Sequence, residues 1–193
     1  MEKGRLEAFS DGVMGVAITL MVIELKAPGV GAGLAAFKDL VVEFLDYVLS
    51  FVFVGIYWSN HHHMFKAVSR VNGAILWANL FLLFWITLFP FTTAWVSRDP
   101  TSSPATATYG VVLLMAGVAY YILQSLLIDE QGVDSVLAKA VGFDWKGKAS
   151  PILYIAAIPL AFISPWIADG LYVVVALMWL VPDRRIERAL TGP

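Results

Sequence analysis

The sequence has no cysteine, so it can form neither a disulfide nor a thiolate metal site, and it gives no sign of redox compartment. Charge is scarce as well. Only 15% of the 193 residues are charged, against about 25% in soluble domains. The net charge of −2 gives no basis for binding nucleic acid. Three histidines are present, all consecutive at His61-His62-His63, so no i, i+4 histidine pair exists. Successive helical residues point about 100° apart, and three in a row cannot reach one ion from a helix. The cluster therefore reads as a polar boundary to a span or as a source of one hydrogen bond to a carboxylate such as Asp11. No metal and no cofactor is implied. No segment carries arginine at every third position, which excludes a voltage-sensing helix. Internal repeats and low-complexity tracts are also missing.

What the chain has is apolar residues in long runs. They make up 59% of the sequence, and the mean hydropathy is +0.75. This is the composition of an integral membrane protein. A hydrocarbon core needs about 20 helical residues to cross. That length predicts six spans, at 6–25, 39–59, 72–96, 105–128, 149–166 and 167–182, in one all-α membrane domain covering 1–193. Pro165 and Asp169-Gly170 mark the break between the last two. Pro90 predicts a kink in the third span, with Thr87 and Thr92 placed to satisfy freed carbonyls. Between spans four and five, Val133, Val136, Leu137, Ala140 and Val141 fall on one face of a short amphipathic helix, with Trp145 as its interfacial anchor. Trp58, Trp77, Trp95 and Trp166 also lie near span boundaries, as in an aromatic belt. Lys3 and Arg5 precede the first run, but Asp11 within it and five later spans favour a retained helix over a signal peptide.

Loop charges orient the spans. With both termini cytoplasmic in the cell membrane, the inner side carries ten of the 13 bases: Lys3, Arg5, Lys66, Arg70, Lys139, Lys146, Lys148, Arg184, Arg185 and Arg188. The outer side carries Lys26, Lys38 and Arg98 against six acids, Glu24, Asp39, Glu43, Asp46, Asp99 and Asp169. An acidic mouth concentrates cations, although solvated loop charges look the same in sequence.

The first span holds the main candidate chemistry. A carboxylate near hydrocarbon is costly and is tolerated where it faces protein or water, so Asp11, with Ser10 and Thr19, marks this helix. At 100° per residue, Gly12, Val16, Thr19 and Ile23 form one stripe, with Leu20 beside it and Asp11 pointing away toward protein. Arranged around a symmetry axis, such stripes make an apolar constriction with a ring of hydroxyls. A helix packed into its own bundle through Gly12 and Gly15 fits the same pattern. Thr106-Ala107-Thr108-Tyr109-Gly110 is similar to a filter loop, but Thr replaces the first glycine and no pore helix precedes it. It reads as the start of span four.

Four motifs, in order, give the chain a family resemblance. Arg5 followed by Phe9-Ser10-Asp11 resembles the R-x-x-x-F-S-D signature of the endolysosomal potassium channel family, transmembrane protein 175, and its prokaryotic relatives. Tyr57-Trp58-Ser59-Asn60-His61-His62, Leu82 to Pro90, and Pro182-Asp183-Arg184-Arg185-Ile186-Glu187 extend the resemblance over nearly the whole chain. It implies a six-helix subunit, a homotetramer, and a potassium-permeable channel whose first helix lines the pore without the usual filter loop. Val16 stands where the family has its constricting isoleucine, one methylene smaller. Thr19, Leu20 and Ile23 match further pore positions. Arg5, Ser10 and Asp11, with His62 as a candidate partner, match the hydrogen-bond network that holds the first helix. The implied partners are potassium and other monovalent cations, the lipid bilayer and three further copies of the chain. An enzyme is not implied, since no second acid cluster or nucleophile motif completes a site. The competing reading is a secondary cation/proton transporter using Asp11 and a histidine, against which the lack of repeats counts.

Overall fold

A computed structural model describes residues 2–25, 34–142 and 144–180, with side chains in the second stretch from Leu40 onward. Lys26, Lys38, Asp39 and the Pro182–Glu187 motif with its arginines, together with Arg188, lie outside the described backbone or side chains. Every described element is a helix: α1 (Lys3–Ile23), α2 (Leu34–Lys66), α3 (Gly73–Thr87), α4 (Phe89–Arg98), α5 (Ser103–Gln131), α6 (Val136–Val141), α7 (Trp145–Leu160) and α8 (Pro165–Leu180). Four stretches are long and apolar enough to cross a membrane: α1, 40–66 of α2, α3 with α4, and α5. The α8 helix is a shorter apolar one. The chain is therefore an all-α, multi-pass membrane protein.

The third span breaks where Pro90 predicts. Helix α3 ends at Thr87, Leu88 caps it, and Pro90 sits in the first turn of α4, where its missing N–H costs nothing. Threonine hydroxyls cover carbonyls around the break. Thr87 donates to Phe84 O at 2.8 Å and Thr92 to Leu88 O at 3.1 Å.

Other boundaries move. Helix α2 runs on through the histidines to Lys66, so His61–His63 lie in its closing turns, with His63 and Lys66 in the last. Helix α7 starts at Trp145, earlier than expected, because Asp144 caps it by accepting the Gly147 N–H at 3.0 Å. The last break falls at 161–164, and Asp169-Gly170 lies inside α8. Proline sets the first turn of that helix, and a glycine in mid-helix is tolerated. The amphipathic helix shrinks to α6, since Asp129–Gln131 belong to α5 and Gly132, at φ +90°, ends it. Leu137 and Ala140 are its buried face, while Val133 and Val136 are exposed. Thr106–Gly110 is regular α5 helix. Gly110 serves packing: a Cβ there would collide with the Tyr172 hydroxyl, which instead donates to Thr106 O at 3.1 Å.

The chain runs up and down. At one end Lys3 Nζ donates to Val68 O at 2.8 Å, and Gln131 bridges Ser69 and Arg70. At the other end Arg98 pairs with Glu24 at 2.9 Å, and Ser97 donates to Asp46 at 3.2 Å. Between them Thr93 Oγ1 lies 2.7 Å from both Phe89 O and Ser50 Oγ, and Ser50 Oγ lies 2.9 Å from the Tyr109 hydroxyl, which ties α2, α4 and α5 together.

Candidate functional site on the first helix

One side of α1 is fastened to the bundle. Leu6, Ser10, Met14, Ala17 and Met21 are buried against it, at the three- and four-residue spacing of a single helical face. Helices α2, α3 and α4 supply the opposing surface.

The fastening is partly polar. Ser10 Oγ donates to Leu6 O at 2.9 Å, a bond within its own helix. The same oxygen accepts from Asn79 Nδ2 of α3 at 2.9 Å. Asn79 Oδ1 in turn lies 2.8 Å from His61 Nε2 of α2, which donates to it. All three residues are almost fully buried. A buried chain of hydrogen bonds of this kind ties three helices together.

A second contact lies nearer the surface. The Trp58 indole N–H donates to Asp11 Oδ1 at 2.9 Å, and the Trp58 ring stacks on His62 with centroids 5.9 Å apart. The buried histidine linked to Ser10 is thus His61, reached through Asn79, while His62 meets Asp11 only through Trp58. Asp11 stays exposed in the single subunit, and its protein contact is that indole. The Arg5 side chain has no hydrogen-bond partner among the described residues. Asn79 escaped sequence reasoning although a signal existed, because it is the one polar side chain between Gly73 and Ile86, where the bilayer tolerates polarity only toward protein.

The other side of α1 is open. Val16 is 56% exposed, Leu20 48% and Ile23 72%, and Thr19 is exposed beside them. A Cβ placed on Gly12 or Gly15 would meet nothing within 4 Å. Packing of α1 through those glycines within one subunit is therefore not what occurs. Thr19 Oγ1 donates back to Gly15 O at 2.8 Å, with Val16 O at 3.0 Å. Its only proton is thereby occupied, and the oxygen presents lone pairs outward, the polarity a cation requires. Around it the stripe is apolar. No three His, Asp or Glu side chains converge on a metal site among the described residues.

The chain has relatives of known kind. A family model described as the endosomal/lysosomal potassium channel TMEM175 matches residues 5–90, from the Arg5 of the first motif to the Pro90 of the third-span break. A potassium channel of Chryseobacterium sp. (strain P1-3) is 48% identical over 190 residues, 98% of each chain. The chain belongs to the TMEM175 family. The crystal structure of a lysosomal potassium-selective channel TMEM175 homolog from Chamaesiphon minutus superposes with a TM-score of 0.79 at 32% identity, covering 94% of this chain and 98% of that one. The human endosomal/lysosomal proton channel TMEM175 is 30% identical over 114 residues, which is 52% of this chain and 23% of that longer protein. TMEM175 relatives thus carry both potassium and proton in their names.

Proposed function

We propose that this protein is a potassium-permeable channel, formed by four copies whose α1 helices surround a central pore. Each copy is one domain over 1–193 with six membrane crossings, α3 and α4 together making the third and α7 and α8 the last two. Both termini face the cytoplasm and the channel lies in the cell membrane. The observation that carries this reading is the free face of α1: an apolar stripe with one hydroxyl row, exposed although the opposite face is locked by packing and hydrogen bonds.

The mechanism follows from that face. Four Val16 side chains around an axis form a ring without an oxygen ligand. An ion crossing it must do so partly dehydrated, and a narrow apolar ring empties of water and closes. The Thr19 oxygens, about one turn further along, return part of the lost hydration. Leu20 and Ile23 extend the apolar wall. Valine, one methylene short of isoleucine, makes this ring wider and less discriminating than an isoleucine ring. Ser10, Asn79, His61, Asp11 and Trp58 do not touch the ion. They hold the helix that does.

Reconstitution in liposomes under a potassium gradient tests the reading. Potassium flux above empty vesicles is expected, with a reversal potential shifted toward potassium under bi-ionic conditions. No flux, in vesicles where a control channel conducts, would sink it. The proton-channel name of the human relative favours a second reading, proton permeation through the same pore. Acidification under a proton gradient without potassium distinguishes the two. Tightly coupled, saturating exchange would instead indicate a transporter.

A further inference from the structure

Away from α1, the helices α2, α5, α7 and α8 enclose a cavity of about 60 Å³. Its wall is aromatic, but polar groups turn into it. Gln124 is 7% exposed and Tyr154 4%, and both line it. Neither the Gln124 amide nor the Tyr154 and Tyr57 hydroxyls have a hydrogen-bond partner among the described residues. Their polar atoms are not sealed off but reach the open space of the cavity, so their convergence there marks a place where something polar is received.

We propose that this cavity binds the hydroxyl head of a neutral membrane amphiphile, with the apolar body leaving past Tyr121 into the lipid. Size sets the first limit. On the measure by which one water needs about 10–15 Å³ the space takes a few waters, and it is well below the roughly 150 Å³ cavity that takes benzene. A hydroxymethyl group fits, whereas a phosphate or an aromatic ring does not. Charge sets the second. Asp144 at the rim already accepts the Gly147 N–H, and no basic side chain is among the described residues that line the cavity, so an anionic head finds no counter-charge there. Carboxamide and phenol groups both donate and accept, and a single hydroxyl matches them in both senses. Depth sets the third. Gln124 lies two turns, about 10 Å, before the end of α5 at Gln131, the level at which headgroups meet acyl chains. Tyr121 at the opening is two-thirds exposed. Gly117 makes room, since a Cβ there has only the Tyr57 hydroxyl near it, at 3.8 Å.

Photolabelling of the full chain in liposomes with a diazirine-bearing octanol tests this. Adducts are expected on 120–124 and 144–154, reduced at least fivefold by excess 1-octanol. Gly117→Leu fills the space and is expected to abolish the competable adducts. Gln124→Leu, and Tyr154→Phe should Gly117→Leu fail to fold, are each expected to raise the half-competing octanol concentration about tenfold. Adducts spread over all exposed helices without saturation, or competition unchanged in the folded variants, would overturn the proposal; the second result is what a cavity holding only water predicts. No ion gradient is used, so failure here is independent of the flux result.

Discussion

The two faces of α1 differ in what fixes them. The held face combines apolar burial, at Leu6, Met14, Ala17 and Met21, with a hydrogen-bonded relay through Ser10, Asn79 and His61. The open face has Gly12, Val16, Thr19 and Ile23, and it is largely uncovered among the described residues. Apolar contact alone gives little association between helices in lipid, because lipid tails are as apolar as leucine. The held face thus combines close packing with a polar relay, the two forces that join helices in lipid, while the open face is left to be shaped by whatever passes or packs there. This separation of holding from passing is testable residue by residue.

The largest effect is expected on the held face. Asn79→Leu keeps the branched shape but leaves the His61 Nε2 donor without a partner and Ser10 with only the Leu6 carbonyl. Leaving buried groups unpaired costs about 2–3 kcal/mol, which reversible unfolding in detergent would register. Combining it with His61→Phe and Ser10→Ala, which removes every member of the relay, is expected to recover most of that loss. Unchanged stability in the single variant would show that the relay does not position α1.

Next in size is the open face. Val16→Asn places hydrogen-bonding groups in the proposed ring, which keeps it wet. Single-channel current is expected to rise severalfold, with unfolding stability changed little because Val16 is 56% exposed in the subunit. Unchanged current would remove Val16 from the narrowest point. A loss of stability instead would mean that the two faces are not separable.

Trp58→Phe is a smaller perturbation of the held side. It deletes the N–H that reaches Asp11 while keeping a ring against His62. At this half-exposed site the expected cost is about 1 kcal/mol. A loss as large as that of Asn79→Leu would make Asp11, rather than Ser10, the principal anchor.

How much of this was legible in the sequence depended on distance along the chain. The stripe of Val16, Thr19 and Ile23 follows from a 100° rotation within one helix, and the break at Pro90 from one missing N–H. Both are local. The partner of Ser10 is Asn79, 69 residues away, and no periodicity names a partner at that separation. Periodicity gives only a face, which is why His62 was a candidate and His61, one residue and about 100° away, is the histidine that turns inward. The α7–α8 break stayed between two positions for another reason. It lies just before Pro165, with Asp169-Gly170 inside α8. Pro165 and Gly170 both carry local signals, and hydropathy cannot rank a helix-starting proline against a mid-helix glycine. The basic motif around Arg184 lies beyond the described residues, and its role stays an expectation from resemblance.

The far end of α1 marks the limit of the comparison. There the helix is tied by Arg98 Nη2 and Glu24 Oε2 at 2.9 Å, with side chains 64% and 45% exposed. Solvent screens such a pair, and exposed ion pairs contribute about 0.2–1 kcal/mol. Arg98→Ala is expected to fall at the low end of that range and to vanish in high salt, since the Debye length contracts to about 3 Å at 1 M. The pair nevertheless sits one residue beyond Ile23, beside the outer mouth of the proposed pore. Removing the guanidinium leaves Glu24 uncompensated there, so the same variant is expected to raise inward cation current slightly at low salt while stability hardly moves. A large stability loss would instead place a second anchor at this end, and α1 would then be held along its whole length rather than chiefly through the Ser10 relay.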